Sequence, residues 1–511
     1  MSDYRRISTA LIILVIALPL SRAALGQDTE VPIKAPKIWD EQQLADWGLP
    51  LAAIQAQPKY ITEQAYYASP VDNLRTYPVY HPDRQPPGYL ESLLQKEPQK
   101  LVEPGLPRTQ AQWIELGKRV FEEWDHAPAR TTDPKALAYL RDPDALEKDH
   151  TTVAADGTIP GFRWVVEKKG KVSLGLTECA RCHVKVTADG SAINGAPGNL
   201  QGGAVALNAL LAEQRKHFYA KQPVTKGQAA YYDYHVPWQT DDVNAKMKSM
   251  TDKQMDEIVA SFVPGTFPLA NGSPYAMTKL RDLRGLSNEK YLDATATHRN
   301  RGPEDVARYA ALISYADHFT FGDHQSLPDD HPRPLFHVPD DALYALGLYL
   351  YALEPLPNPN AADADATIVA RGKVVFESME CARCHTGPNY GGELLTPAEE
   401  FDVPDEYLDT YNIFYESAYT DSNLAMNTRK GTGLYKVPSL RGLWYRGLYG
   451  HSGSCASLED WFNLQRFEND YVPTGWKGPG VKNRAVLGHP FGLEYLTDED
   501  IKALIVFLKT L

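Results

Sequence analysis

The hexapeptide Glu-Cys-Ala-Arg-Cys-His occurs twice, at 178–183 and at 380–385, and takes up four of the chain's five cysteines. Two thiols three positions apart, followed at once by an imidazole, form the attachment pattern of a c-type haem. Each thiol adds to one vinyl group, and the adjacent His reaches the iron from the proximal face. The competing chemistries fit less well: zinc needs four convergent ligands at each word, and a thioredoxin-like pair does not need the His. Cys179, Cys182 and His183 are therefore expected to hold one covalent haem, and Cys381, Cys384 and His385 a second. Cys455, in "HSGSCASLEDW", reads as a small buried residue without chemistry.

What each iron does depends on its sixth position, since two strong protein ligands favour electron transfer and an open face admits peroxide or dioxygen. After His385 the only histidines are His451 and His489, and the only methionine is Met426. His489 lies in the Gly- and Pro-punctuated loop "VLGHPFGLEYL" with apolar neighbours, a setting that presents an imidazole rigidly. His451 precedes a helix start where Ser457 and Asp460 make a capping-box-like pair, so fixing that turn or a haem propionate is its alternative role. The spacing favours His489 as the second haem's sixth ligand, with His451 next and Met426, in a polar setting, third. For the first haem, His298 is the candidate distal residue: flanked by Arg299 and Arg301 ahead of a helix at Pro303, it suits a distal pocket or the propionates. Met247, Met250 and Met255 recur at helical spacing and read as packing.

These residues need elements to hold them, and a second repeat supplies those. "VPDDALYALGLYLYAL" (338–353) aligns without a gap on "LTDEDIKALIVFLKTL" (496–511), acidic start to apolar end. Acidic residues in the first turn favour the helix dipole, so both read as closing helices. "LGKRVFEE" (116–123) likewise parallels "ARGKVVFES" (370–378). Phe376 precedes Cys381 by five residues, whereas Phe121 precedes Cys179 by 58, so about 53 extra residues interrupt the first copy. The expected organisation is a signal peptide (1–26), a Pro- and Tyr-rich arm without regular structure that wraps a haem domain (27–109), a first cytochrome c-like domain with large insertions (110–357) and a second (363–511). The expected fold class is mainly α, with long loops and few, dispersed strands.

The 511 residues, 43% of them apolar, are enough for two or three cored domains. The opening stretch carries Arg5 and Arg6, an apolar run from Ala10 to Leu20 and small residues at Ala24–Gly26. That is an export signal too short to span a bilayer, and it predicts a periplasmic or secreted protein with no stable membrane insertion. The formal charge of −13 becomes −15 without those 26 residues (49 basic against 64 acidic), which disfavours nucleic acid as a partner.

The stretch "YKVPSLRGLWYRGLYGHSGSCASLEDWF", with two C-x-x-C-H words in one chain, resembles the di-haem cytochrome c peroxidase superfamily, which includes the methylamine-utilisation di-haem enzyme and the bacterial rubber oxygenases. The likeness rests on Pro438, Leu440, Arg441, His451, Gly453, Ser454, Leu458 and Glu459, and the rubber-oxygenase branch is the most similar. It implies one six-coordinate relay haem, one haem that binds oxidant, and an electron-donor protein. An acid/base Glu and a calcium ion between the haems are also implied, but neither maps onto a numbered residue. The expected function is an exported di-haem oxidoreductase of peroxidase type. Its rivals are a non-catalytic electron carrier or dehydrogenase subunit, and an oxygenase acting on an apolar substrate.

Overall fold

The structure is a computed structural model that describes residues 34–103, 107, 109–219, 223–239, 243–268, 272–314, 319–321 and 336–511. The expected signal peptide lies outside the described residues.

Five helices frame the fold. Helix α1 (Gln110–Glu123) starts at a reciprocal capping box between Thr109 and Gln112. The others are α2 (Pro303–Ser314), α3 (Asp340–Ala352), α4 (Ala366–Ser378) and α5 (Asp498–Thr510), the last capped by Thr497 and Asp500. Helix α3 packs against α1, and α5 packs against α4.

The two pairs meet in the same way, residue for residue. A Cβ placed on Gly117 of α1 would sit 1.9 Å from the Ala345 carbonyl oxygen of α3, and one on Gly372 of α4 would sit 2.0 Å from that of Ala503 in α5. Phe121 lies 5.7 Å from Tyr349 at 56°, and Phe376 lies 5.6 Å from Phe507 at 57°. Each helix pair touches backbone to backbone at a glycine because any side chain there would hold the axes apart.

The structure departs from a mainly α chain: 39% of it is helical and 14% is strand. The longest of the unforeseen strands belong to the insertion. Strands β3 (Thr158–Lys168) and β4 (Lys171–Leu176) form a hairpin, pairing Lys168 with Lys171 around a turn at Lys169 and Gly170. The φ of +80° at Gly170 suits such a turn, and the Val- and aromatic-rich arms are good strand formers. The arm is also more regular than its prolines imply. Strand β1 (Pro58–Tyr60) pairs with β5 (Phe319–Phe321), and β2 (Thr76–Tyr80) adds a third strand to the hairpin along β3.

The arm's Trp39 and Trp47 are fully buried in a core shared with α1, α2 and α3. Met247 and Met255 are buried together with Ala230 and Ile258, as packing residues should be. They stand on two elements instead of one helix, because Thr251 caps a new start after the Val243–Ser249 turn. Among the described residues no helix is long and apolar enough to cross a membrane.

Candidate functional site: the two Cys-His words

Each word closes into one tight turn. The His183 amide donates to the Cys179 carbonyl at 3.0 Å, and the His385 amide donates to that of Cys381 at 3.0 Å. Both imidazoles are then oriented from behind. His183 Nδ1 donates to the Arg281 carbonyl oxygen at 3.0 Å, and His385 Nδ1 donates to that of Tyr390 at 2.9 Å, with Pro438 as a second backbone partner. A proton fixed on Nδ1 leaves Nε2 as the lone-pair nitrogen, which is the tautomer a metal ligand needs. Burial pushes the His183 imidazole down to about 4 and lowers that of His385, so both stay neutral.

The carbonyls come from a repeat the sequence reading missed. "KLRDLRGL" (279–286) matches "KVPSLRGL" (436–443), which places Arg281 opposite Pro438. The arginine common to both strings holds equivalent points: Arg284 Nε donates to the Glu354 carbonyl just past α3, and Arg441 Nε to the Leu511 carbonyl just past α5. Comparing the segments after each word while allowing a one-residue shift relative to the closing helices would have exposed it.

The four thiols argue against the other chemistries. Burial raises all of them, Cys381 to about 11, and a zinc ligand or reactive redox pair needs the thiolate. Among the described residues no group of three or more His, Cys, Asp or Glu converges, which leaves zinc, and the calcium ion implied by the family resemblance, without such a ligand set there.

A haem fits better. At the second word the ring centroids of His385 and His489 lie 6.1 Å apart. Two imidazoles bound to one iron from opposite sides would stand about 6 Å apart, given metal–nitrogen bonds of roughly 2 Å and rings of roughly 1 Å radius. His489 is held there by its loop. Its φ is +52°, its amide donates to the Ala418 carbonyl at 2.9 Å, and its carbonyl accepts from Arg466 Nη2 at 3.3 Å. Arg466, fully buried between Trp461 and Phe467, also grips the Gly488 and Trp461 carbonyls, a clamp no local motif announced.

His451, the runner-up ligand, is committed elsewhere. Nδ1 meets Thr420 Oγ1 at 3.0 Å and Nε2 meets Asp421 Oδ2 at 3.1 Å. Met426 packs beside Leu424, Ala425 and Tyr435. Ser457 caps the following turn through the Asp460 amide at 3.0 Å, as its spacing suggested. Cys455 is fully buried, its thiol pushed up to about 11 by burial.

Near the first word, Lys279, Arg281 and Arg446 are deeply enclosed cations close enough to feel one another's charge. Burial and the two arginines push the Lys279 ammonium down to about 7, and Arg281 Nε is buried with no hydrogen-bond partner. Arg446 is neutralised by Asp282, whereas Lys279 and Arg281 form no ion pair among the described residues, and these two cations suit the propionate carboxylates of a haem.

His298 is not in the polar loop its flanking arginines implied. It lies in a short antiparallel pairing with Leu292, 5% exposed, with its ring 4.1 Å from that of Trp47 and 5.3 Å from that of Tyr309. Nδ1 meets Thr297 Oγ1 at 2.9 Å, and Nε2 is buried without a partner. The arginines point to other tasks, Arg301 bonding Asp305 and Arg299 stacking over Tyr411. Burial, with Lys430 adding to it against the pull of Asp293, drives the His298 imidazole down to about 3.

That sets a sign. The unfolded chain binds a proton at this histidine below about pH 6.5, and the folded protein does not until about pH 3, so His298 costs stability as pH falls through that window. The stability advantage of wild type over His298→Gln should therefore shrink on acidification from pH 6.5, by up to about 1.4 kcal/mol per pH unit. Urea titrations at pH 7, 6 and 5 test this, and a constant gap would place the imidazole in solvent.

No family model matches the chain, and no curated protein matches it. Solved structures to which the chain shows a weak similarity include hydrazine synthase of Kuenenia stuttgartiensis, at 14% identity, and a MauG-like protein associated with microbial copper homeostasis, at 16%. Each comparison covers 57% of this chain and 89% of the other, with a TM-score of 0.28. A score that low establishes no common fold, and neither neighbour is a rubber oxygenase, so the haem reading rests on the chain's own two words.

Proposed function

We propose that the protein is a di-haem c-type oxidoreductase with unlike centres: a relay haem held by Cys381, Cys384, His385 and His489, and a haem with an open sixth position held by Cys179, Cys182 and His183. The observation that carries this is the asymmetry between the words. His385 faces a second imidazole at 6.1 Å, and His183 faces no ring among the described residues. Haem supplies one-electron chemistry and, where its sixth position is open, a place for peroxide or dioxygen to bind. The protein's own residues fix the Nδ1 protons of both proximal histidines, keep both imidazoles neutral and offer buried cations to carboxylates. His298 stays in this reading as the candidate distal residue, a neutral imidazole held by Trp47 and Tyr309. An electron-donor protein and an exported location belong to the same reading. The signature around His451 favours the di-haem peroxidase type of activity; the likeness to the rubber-oxygenase branch, which rests on His489 and the long first domain, keeps an oxygenase acting on an apolar substrate as the rival.

The test is low-temperature EPR of the oxidised protein, made in a host with cytochrome c maturation machinery. One high-spin signal beside one low-spin bis-imidazole signal is the expected result. Two low-spin signals that persist on partial reduction, with no carbon monoxide bound by the reduced protein, would make the chain an electron carrier instead.

A further inference from the structure

The two proximal histidines are joined by an unbroken chain of bonds through one ion pair. The Arg281 carbonyl that receives His183 Nδ1 belongs to the peptide unit leading into Asp282. The Asp282 carboxylate Oδ2 accepts from Arg446 Nε at 2.7 Å, and the other prong of that guanidinium, Nη1, donates to the Ser439 carbonyl at 2.6 Å. The same peptide unit presents the Leu440 N–H, which donates at 3.2 Å to the Tyr390 carbonyl, and that oxygen accepts His385 Nδ1 at 2.9 Å.

Asp282 is held rigidly for this task. Oδ1 takes the Arg284 amide at 3.1 Å, and Oδ2 takes the Tyr445 hydroxyl at 2.7 Å as well as Arg446. The two side chains are 5% and 10% exposed, so water does not screen the pair. The link runs between the two copies of the K-x-x-x-L-R-G-L string, and Asp282 and Arg446 are not part of the repeat itself: Asp282 aligns with Ser439, and the position matching Arg446 in the first copy is Glu289.

We propose that Arg446, set by Asp282, is a positioning residue that couples the two haem centres through their proximal histidines, and that electrons pass between the words by this route. The proposal rests on the two-haem reading above. The event it describes is balanced: one electron leaves one centre and enters the other, oxidising the first and reducing the second, with no proton moved along the chain. Arginine suits the position because one planar fork reaches a carboxylate and a carbonyl at once, which a lysine ammonium on a flexible stem cannot do.

The experiment delivers one electron by pulse radiolysis to the oxidised holoprotein and follows its redistribution between the two haems optically, in wild type, Arg446→Lys and Asp282→Asn. Arg446→Lys keeps the charge and breaks the fork, so redistribution should slow at least tenfold while each midpoint potential moves by less than about 59 mV, the shift equivalent to tenfold for one electron. Asp282→Asn keeps the shape, weakens the link and should fall in between. Should one variant fail to load two haems, the other decides. Redistribution at the wild-type rate in a variant that carries both haems overturns the proposal. A wild-type protein whose pyridine haemochrome shows fewer than two c-type haems per chain would overturn the two-haem reading itself, which separates the two failures.

Discussion

His489→Ala should abolish the low-spin bis-imidazole signal of the second haem and replace it with a high-spin one, while covalent attachment at Cys381 and Cys384 is retained. The expected loss is essentially the whole of that signal, because among the described residues the two rival ligands are committed elsewhere. His451 has both ring nitrogens engaged by Thr420 and Asp421. Met426 lies on a different core cluster. His451→Gln is the matched control: it should leave the spectrum of the second haem unchanged and weaken only the turn around Asp421. EPR on both variants, with carbon monoxide binding to the reduced proteins, checks this. If His489→Ala kept its low-spin signal and His451→Gln lost it, the assignment of the two histidines would be exchanged.

The second large effect is on stability. Gly117→Ala and Gly372→Ala should each destabilise the protein by about 3 kcal/mol or more, since a new Cβ would fall 1.9 Å and 2.0 Å from a carbonyl oxygen of the facing helix. Overpacking typically costs about 1–3 kcal/mol, and here the obstacle is backbone, which cannot rotate aside. The helix-propensity gain of alanine over glycine, about 1 kcal/mol, is too small to offset it. Denaturant midpoints for the two variants should fall by similar amounts. A neutral result at one glycine alone would mean that its helix pair can slide, and would break the equivalence of the two copies.

The parts of this fold that were legible in sequence are those written in local order. The C-x-x-C-H words, the capped closing helices and the Ser457–Asp460 cap each declare themselves within a few residues. The loop that brings His489 beside His385 was legible from its Gly and Pro residues. What was hidden is long-range. His298 reads as polar because Arg299 and Arg301 flank it, yet its burial is decided by Trp47, some 250 residues earlier. The arm's prolines discourage local structure, and its strands form because β3 and β5 supply their partners. The β3–β4 hairpin carried a readable signal in Gly170, which was outweighed by the helical character of the rest of the chain. Arg446 and Arg466 act through backbone carbonyls, which every residue possesses, so nothing in the sequence marks them as special.

The way the arm is tied in has a bearing on how the protein matures. A chain is made from its N-terminus, and the core that buries Trp39 and Trp47 draws in part on residues from Leu292 to Leu350. The arm therefore cannot complete its packing until some 250 further residues have been made. The first cysteine word emerges within that interval, ahead of Arg281, whose carbonyl later fixes His183. On the two-haem proposal, Cys179 and Cys182, half-buried in the finished fold, are thus most open to an attaching enzyme before α3 closes on α1.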